Sequence, residues 1–188
     1  HYSYFGRTKF RVITKEFFNV FKSKSRKSFL DQNSQYSVDF NEKFVLLPLH
    51  QEPERSLLIA SPYFTNQLET IRHVAKSLPP GFRLYVKEHY SQSLREWRKI
   101  QYYKEILEIP NVKLIHPSFS MEDLIKNSSL VIAVSGTASF EAAFYEKPSI
   151  IFANMGFSKL SSVFLLRSID ELPNLIRKAI STKVDLKE

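Results

Sequence analysis

Residues 130–152 read LVIAVSGTASFEAAFYEKPSIIF, two apolar runs joined by three small residues and an amphipathic stretch. Leu130–Val134 and Ser149–Phe152 have the length of buried strands and are too short for buried helices. Between them Ser139–Tyr145 carries good helix formers, so the stretch predicts a strand, helix, strand unit with parallel strands. Ser135-Gly136-Thr137 marks the junction of strand and helix. A glycine that lets the backbone turn, with hydroxyls at a helix start, makes a place where an anion can sit.

The same alternation extends in both directions. Further strands are expected at Phe44–Leu49, Arg83–Lys87 and Val112–Ile115, and further helices at Asn66–Ser77, Leu94–Glu108, Met121–Asn127 and Ser168–Ser181. The fold class is therefore α/β, a Rossmann-like parallel sheet with helices on both faces through right-handed crossovers. Upstream, Val12, Ile13, Phe17, Phe18, Val20 and Phe21 predict a helix over Arg11–Phe21, and Ser23–Asn41 reads as a polar connector. This divides the chain into a basic helical leader and linker, 1–43, and a sheet domain, 44–188.

With 188 residues, 43% of them hydrophobic and 14% aromatic, the chain can bury a sizeable core. It has no cysteine, which excludes disulfides and thiolate metal sites. No apolar run is long enough to cross a bilayer and no signal pattern opens the chain, so the reading is a soluble, cytoplasmic protein. Because it begins at His1, it is expected to be a fragment of a longer protein. Residues 1–43 hold nine Lys or Arg against four Asp or Glu, so most of the net charge of +8 lies there. The basic run from Lys22 to Lys27 suits either a solvated helix end or peripheral contact with the inner face of a membrane. Nucleic acid is not expected as a partner.

Ligands of such sheets bind at the carboxyl ends of the strands. There the sequence puts Leu49-His50-Gln51-Glu52-Pro53-Glu54 and Val86-Lys87-Glu88-His89-Tyr90, so two strands end in a histidine beside a carboxylate. Lys87 and His89 fall on one side of an extended segment, and both can donate to phosphate oxygens. The alternative is that Lys87 and Glu88 are solvated and His89 caps a helix. His116 follows the third strand and is a candidate nucleotide-binding residue, in a loop whose backbone groups could hold a flat base, or the segment is only a helix start, Ser120 with Asp123 having the spacing of a cap. Ser135, Gly136, Thr137 and Ser139 are the candidate phosphate ligands of the turn. Glu141, one turn beyond Thr137, suits ribose hydroxyls, or is an ordinary first-turn acid contributing roughly 0.3–1 kcal/mol. No GxGxxG, GK[ST] or metal-binding histidine pair is present.

The run SGTASFEAAFYEKPSIIF resembles the donor-binding, C-terminal half of GT-B glycosyltransferases. Together PLHQEPE, LPPGFRLYVKEH, NVKLIHP and the SGT turn with its glutamate are similar to the capsule and surface polysaccharide biosynthesis family, which includes Kdo transferases. The likeness covers about Phe44 to Ile180. It implies that Gln51 and Pro53 form a Gln-Pro motif and that His89 is the histidine of a His-Pro motif contacting donor phosphate. Ser135, Gly136 and Thr137 become the phosphate turn, with Glu141 a ribose ligand. Tyr90 departs from the pattern, standing where the family has proline.

The function implied is binding of a nucleotide-activated sugar, CMP- or UDP-linked, as substrate, with His89 and Lys87 catalytic and no metal or cofactor. The glycan or lipid-linked acceptor would be held by an N-terminal half not present in this chain. A nucleotide-sugar epimerase, a CDP-polyol phosphotransferase and a non-catalytic module acting through the basic leader remain alternatives.

Overall fold

The computed structural model of the protein describes residues 9–52, 59, 61–95 and 98–184. The apolar runs become strands of one parallel sheet: β1 (Phe44–Pro48), β2 (Arg83–Lys87), β3 (Val112–Ile115), β4 (Leu130–Ala133) and β5 (Ser149–Ile151), joined by β6 (Val163–Leu165). Their order across the sheet is β3-β2-β1-β4-β5-β6. Both faces are covered, which is why the strands read as continuous apolar runs rather than alternating ones. Val45, Leu47, Leu84, Val86, Leu130 and Ile132 enter one core layer, while Phe44, Leu46, Tyr85 and Val131 enter the other.

The helices divide accordingly. On the first face lie α2 (Gln67–Ser77), α4 (Ile100–Leu107) and α7 (Leu172–Ser181), through Ile71, Val74, Tyr103, Ile106, Leu172 and Ile176. On the second lie α5 (Met121–Asn127) and α6 (Ala138–Ala143), through Leu124, Ile125, Ala138 and Ala142. The expected cap is present, Ser120 Oγ accepting from the Asp123 N–H at 3.2 Å. Crossovers on opposite faces make β1 and β4 neighbours with nothing threaded over their carboxyl ends, and there a crevice opens.

Three elements differ from expectation. The strand β6 has only three residues and two of them are half-buried, so it leaves no periodic signal. The helix expected over Leu94–Glu108 is two: α3 (Tyr90–Arg95) and α4, with Arg98 and Lys99 non-helical between them. Finally, α1 spans Lys9–Asn33, so the first part of the supposed connector is helical. From Lys22 to Asn33 its polar residues are exposed or half-buried, with Lys27 bonded to Asp31 at 2.8 Å, while Leu30 is fully buried in the core. Beyond α1 the chain hydrogen-bonds to the edge strand, the Gln35 N–H donating to the Leu114 carbonyl at 2.9 Å and the Gln35 carbonyl accepting from His116 at 3.0 Å. Among the described residues no helix is long and apolar enough to cross a membrane.

Leu30 tests the attachment of α1. Because its side chain is wholly buried, Leu30→Ala should destabilise the chain by about 2–4 kcal/mol in urea unfolding, the cost of a deleted core side chain. A change near zero would mean that α1 is not part of the cooperative unit.

Candidate functional site

The crevice is a cleft of about 480 Å³ lined by the ends of β1, β2 and β4. Pro48, Leu49 and His50 form one wall, Lys87 to Tyr90 a second, and Ser135 to Ala138 with Glu141 a third, and Met121 and Met155 also border it.

The Ser135–Thr137 turn is shaped by His50. The Ser135 N–H donates to His50 Nε2 at 3.2 Å, so that nitrogen is bare and the neutral ring carries its proton on Nδ1. A Cβ at Gly136 would meet His50 Cε1 at 3.2 Å, a tight approach. The backbone of Gly136 is not in the left-handed region, so its small size admits the histidine ring rather than permitting an unusual turn. Thr137 Oγ1 donates to Glu141 Oε1 at 2.8 Å, and both residues border the cleft. Ser139 lies behind the turn: its hydroxyl donates to the Gly136 carbonyl at 3.0 Å and its own carbonyl accepts from Ser149 Oγ at 2.8 Å. Ser135 Oγ is buried and makes no hydrogen bond among the described residues, leaving a hydroxyl without a partner there in the wall of the cleft.

Opposite stand Lys87 and His89. Lys87 is buried and its ammonium donates to the Pro117 carbonyl at 3.0 Å. Burial lowers its pKa from 10.5, opposed by the charge of Glu88. His89 Nδ1 accepts from the Ser91 N–H at 3.2 Å and so caps α3, leaving the proton of the neutral ring on Nε2. Capping and donation are thus compatible, since they use different nitrogens. Tyr90 is the first residue of α3, a position where proline is favoured, so the departure at this site keeps the helix start.

Not every candidate reaches the cleft. Gln51 is outside its lining, with a buried Nε2 that makes no hydrogen bond among the described residues, and Pro53 lies outside those residues. His116 is engaged elsewhere, with Nε2 3.1 Å from Asp31 Oδ1, Nδ1 2.6 Å from Ser118 Oγ and its ring stacked on Tyr36. It fastens α1 to the loop after β3. That loop approaches the cleft only through the Pro117 carbonyl and Met121.

Behind the cleft is a polar network that no sequence pattern signals. The Arg98 side chain is 3% exposed and that of Glu88 is fully buried, with Arg98 Nε donating to Glu88 Oε2 at 2.8 Å. Arg98 Nη2 donates to the His50 carbonyl, and Nη1 lies 2.6 Å from Glu52 Oε1 in an ion pair whose direction is not that of a hydrogen bond. Tyr103 donates to Glu88 Oε2 at 2.8 Å, and burial and the Glu88 charge push its phenol pKa up, keeping it a donor. Glu88 Oε1 accepts from the His89 N–H at 2.6 Å. Gln67 completes the network, accepting from the His50 N–H at 2.7 Å and donating to the His50 carbonyl and Glu52. Removing one member of such a buried pair typically costs about 3–5 kcal/mol.

Solved structures share this fold. The UDP-GlcNAc 2-epimerase from Methanocaldococcus jannaschii matches with a TM-score of 0.58 and 16% identity over 86% of this chain and 44% of that one. The KpsC β-Kdo 2,4 transferase of Thermosulfurimonas dismutans matches with 0.58 and 16% over 84% and 53%, and the β-Kdo 2,7 transferase with 0.55 and 18% over 86% and 53%. The chain thus spans about half the length of these proteins, and the likeness is one of fold, the Rossmann-like α/β architecture of GT-B enzymes. No curated protein sequence matches it. Residues 9–159, the greater part of the chain, match the family described as capsule polysaccharide biosynthesis protein, and to that family the chain belongs.

Proposed function

We propose that the chain is the nucleotide-sugar donor domain of a GT-B-type glycosyltransferase in capsule or surface polysaccharide synthesis. The observation that carries this reading is the convergence on one cleft of Lys87, His89 and the Ser135–Thr137 turn, with the Ser135 hydroxyl lacking a partner among the described residues. A buried ammonium, an imidazole N–H and a hydroxyl are donors matched to a diphosphate or phosphodiester, and Glu141 is an acceptor suited to ribose. The M. jannaschii epimerase, of like fold, has been solved with UDP-GlcNAc and UDP, and Anabaena HepE with UDP-glucose.

As the glycosidic bond breaks, negative charge grows on the departing phosphate. Donors already held in place stabilise that charge without reorganising, and Lys87 and His89 fill this role. The activated sugar is a substrate, and the reading assigns no resident cofactor. The acceptor and the base that activates it belong to a part of the enzyme outside this chain. A nucleotide-sugar epimerase is the second reading, favoured by the equally good fold match to the M. jannaschii enzyme.

Calorimetric titration with CMP, CDP and UDP tests the proposal directly. Saturable binding of at least one is expected, and binding of none overturns it. On a variant shown to be folded, Gly136→Val should weaken that binding about tenfold or more, since the branched side chain collides with His50 and fills the phosphate space. Near-normal affinity would make the turn only a helix start.

Lys87 gives a pH signature. Its folded pKa lies below the ordinary 10.5, so just under pH 10.5 the unfolded chain binds more protons here and stability rises with pH. Lys87→Met removes that contribution, and its unfolding free energy should climb less over this interval than that of the parent. Parallel profiles would show that the amine is not desolvated.

A further inference from the structure

We infer that Arg98 is a positioning residue of the cleft, acting through His50 and His89 without lining the cleft itself. The inference rests on the donor-site reading for its ligand, but its geometry stands apart from it.

The guanidinium is directed at the loops that follow β1 and β2. One arm holds the His50 carbonyl, and another holds Glu88, whose second oxygen accepts from the His89 N–H. One buried cation therefore fixes the main chain of both histidines that follow the paired strands β1 and β2 and line the cleft. The backbone departs from helix at Arg98 and Lys99, between α3 and α4, where this side chain turns inward. The consequences continue through the His50 ring. With its backbone clamped by Arg98 and Gln67, the ring presents a bare Nε2 to the Ser135 N–H and occupies the space that a Cβ at Gly136 would need. The shape of the phosphate turn is thus set from Arg98, two steps away. Lysine cannot substitute, because a single ammonium lacks the planar fork that reaches a carbonyl and a carboxylate at once.

The test uses the chain labelled with 15N, and reads the His50 ring nitrogens, the thermal midpoint, and affinity for UDP and CMP in Arg98→Lys, Arg98→Met, His50→Gln and His50→Leu. In the parent, His50 should be protonated at Nδ1 alone. Arg98→Lys should remain folded, show mixed protonation of the two His50 nitrogens and lose about tenfold in nucleotide affinity. His50→Gln, whose amide oxygen can accept from Ser135, should stay within about threefold of the parent, while His50→Leu should lose about tenfold or more. Should Arg98→Met not fold, Arg98→Lys and the His50 pair decide the question. A lower thermal midpoint in Arg98→Lys with an unaltered His50 ring and unaltered affinity overturns the inference and leaves Arg98 a structural ion pair. If the parent binds no nucleotide, the donor-site reading falls, while the His50 ring signal in Arg98→Lys still decides the positioning role.

Discussion

β1 is hydrogen-bonded to β2 along one side and to β4 along the other, and the architecture depends on this double pairing. The chain reaches β2 and β3 by crossovers on one face, then returns past β1 and builds β4 and β5 by crossovers on the other. At the point of return the loops leaving β1 and β4 diverge to opposite faces, and a crevice is left at their carboxyl ends without any side chain having been removed to make it. Register then brings the ends together, Leu47 beside Val86 and Leu46 beside Val131, so His50, His89 and Ser135 follow at the same height, with Lys87 beside Pro48 just below them. The site is a product of topology before it is one of chemistry.

Legibility in the sequence follows the same division. Strands buried on both faces announce themselves as unbroken apolar runs, and five of the six strands are visible for that reason. The sixth is too short, and the extension of α1 is hidden because a largely polar stretch that sends Phe29 and Leu30 inward looks like a connector. Of the candidate site, Lys87, His89, Ser135, Gly136, Thr137 and Glu141 border the cleft, because each follows a strand end or starts a helix. After β1 the motif points to Gln51, whereas the residue bonded to the turn is its neighbour His50, which only the structure distinguishes. Arg98 was illegible: a charged residue in an amphipathic stretch reads as solvated until its partners, ten and forty-eight positions away, are known.

The cleft combines two electrostatic regimes. Arg98 and Glu88 neutralise each other in the interior, where an unpaired charge would be intolerable, and Arg98 also reaches the half-exposed Glu52. Lys87 is different, since its burial outweighs the adjacent Glu88 charge even with the Pro117 carbonyl as acceptor, and its pKa falls. An anion entering the cleft would relieve that imbalance, which makes the buried amine a store of binding energy available only to ligands of negative charge.

The attachment of Gln35 to the β3 edge has a bearing on association. An exposed edge strand offers unpaired N–H and C=O groups to any other strand, including that of a second copy. Gln35 takes up the Leu114 carbonyl and the His116 N–H of that edge, and the Tyr36 ring lies stacked on His116 next to it. The segment after α1 therefore serves as a guard rail against edge-to-edge aggregation, and loosening it would open that edge to pairing.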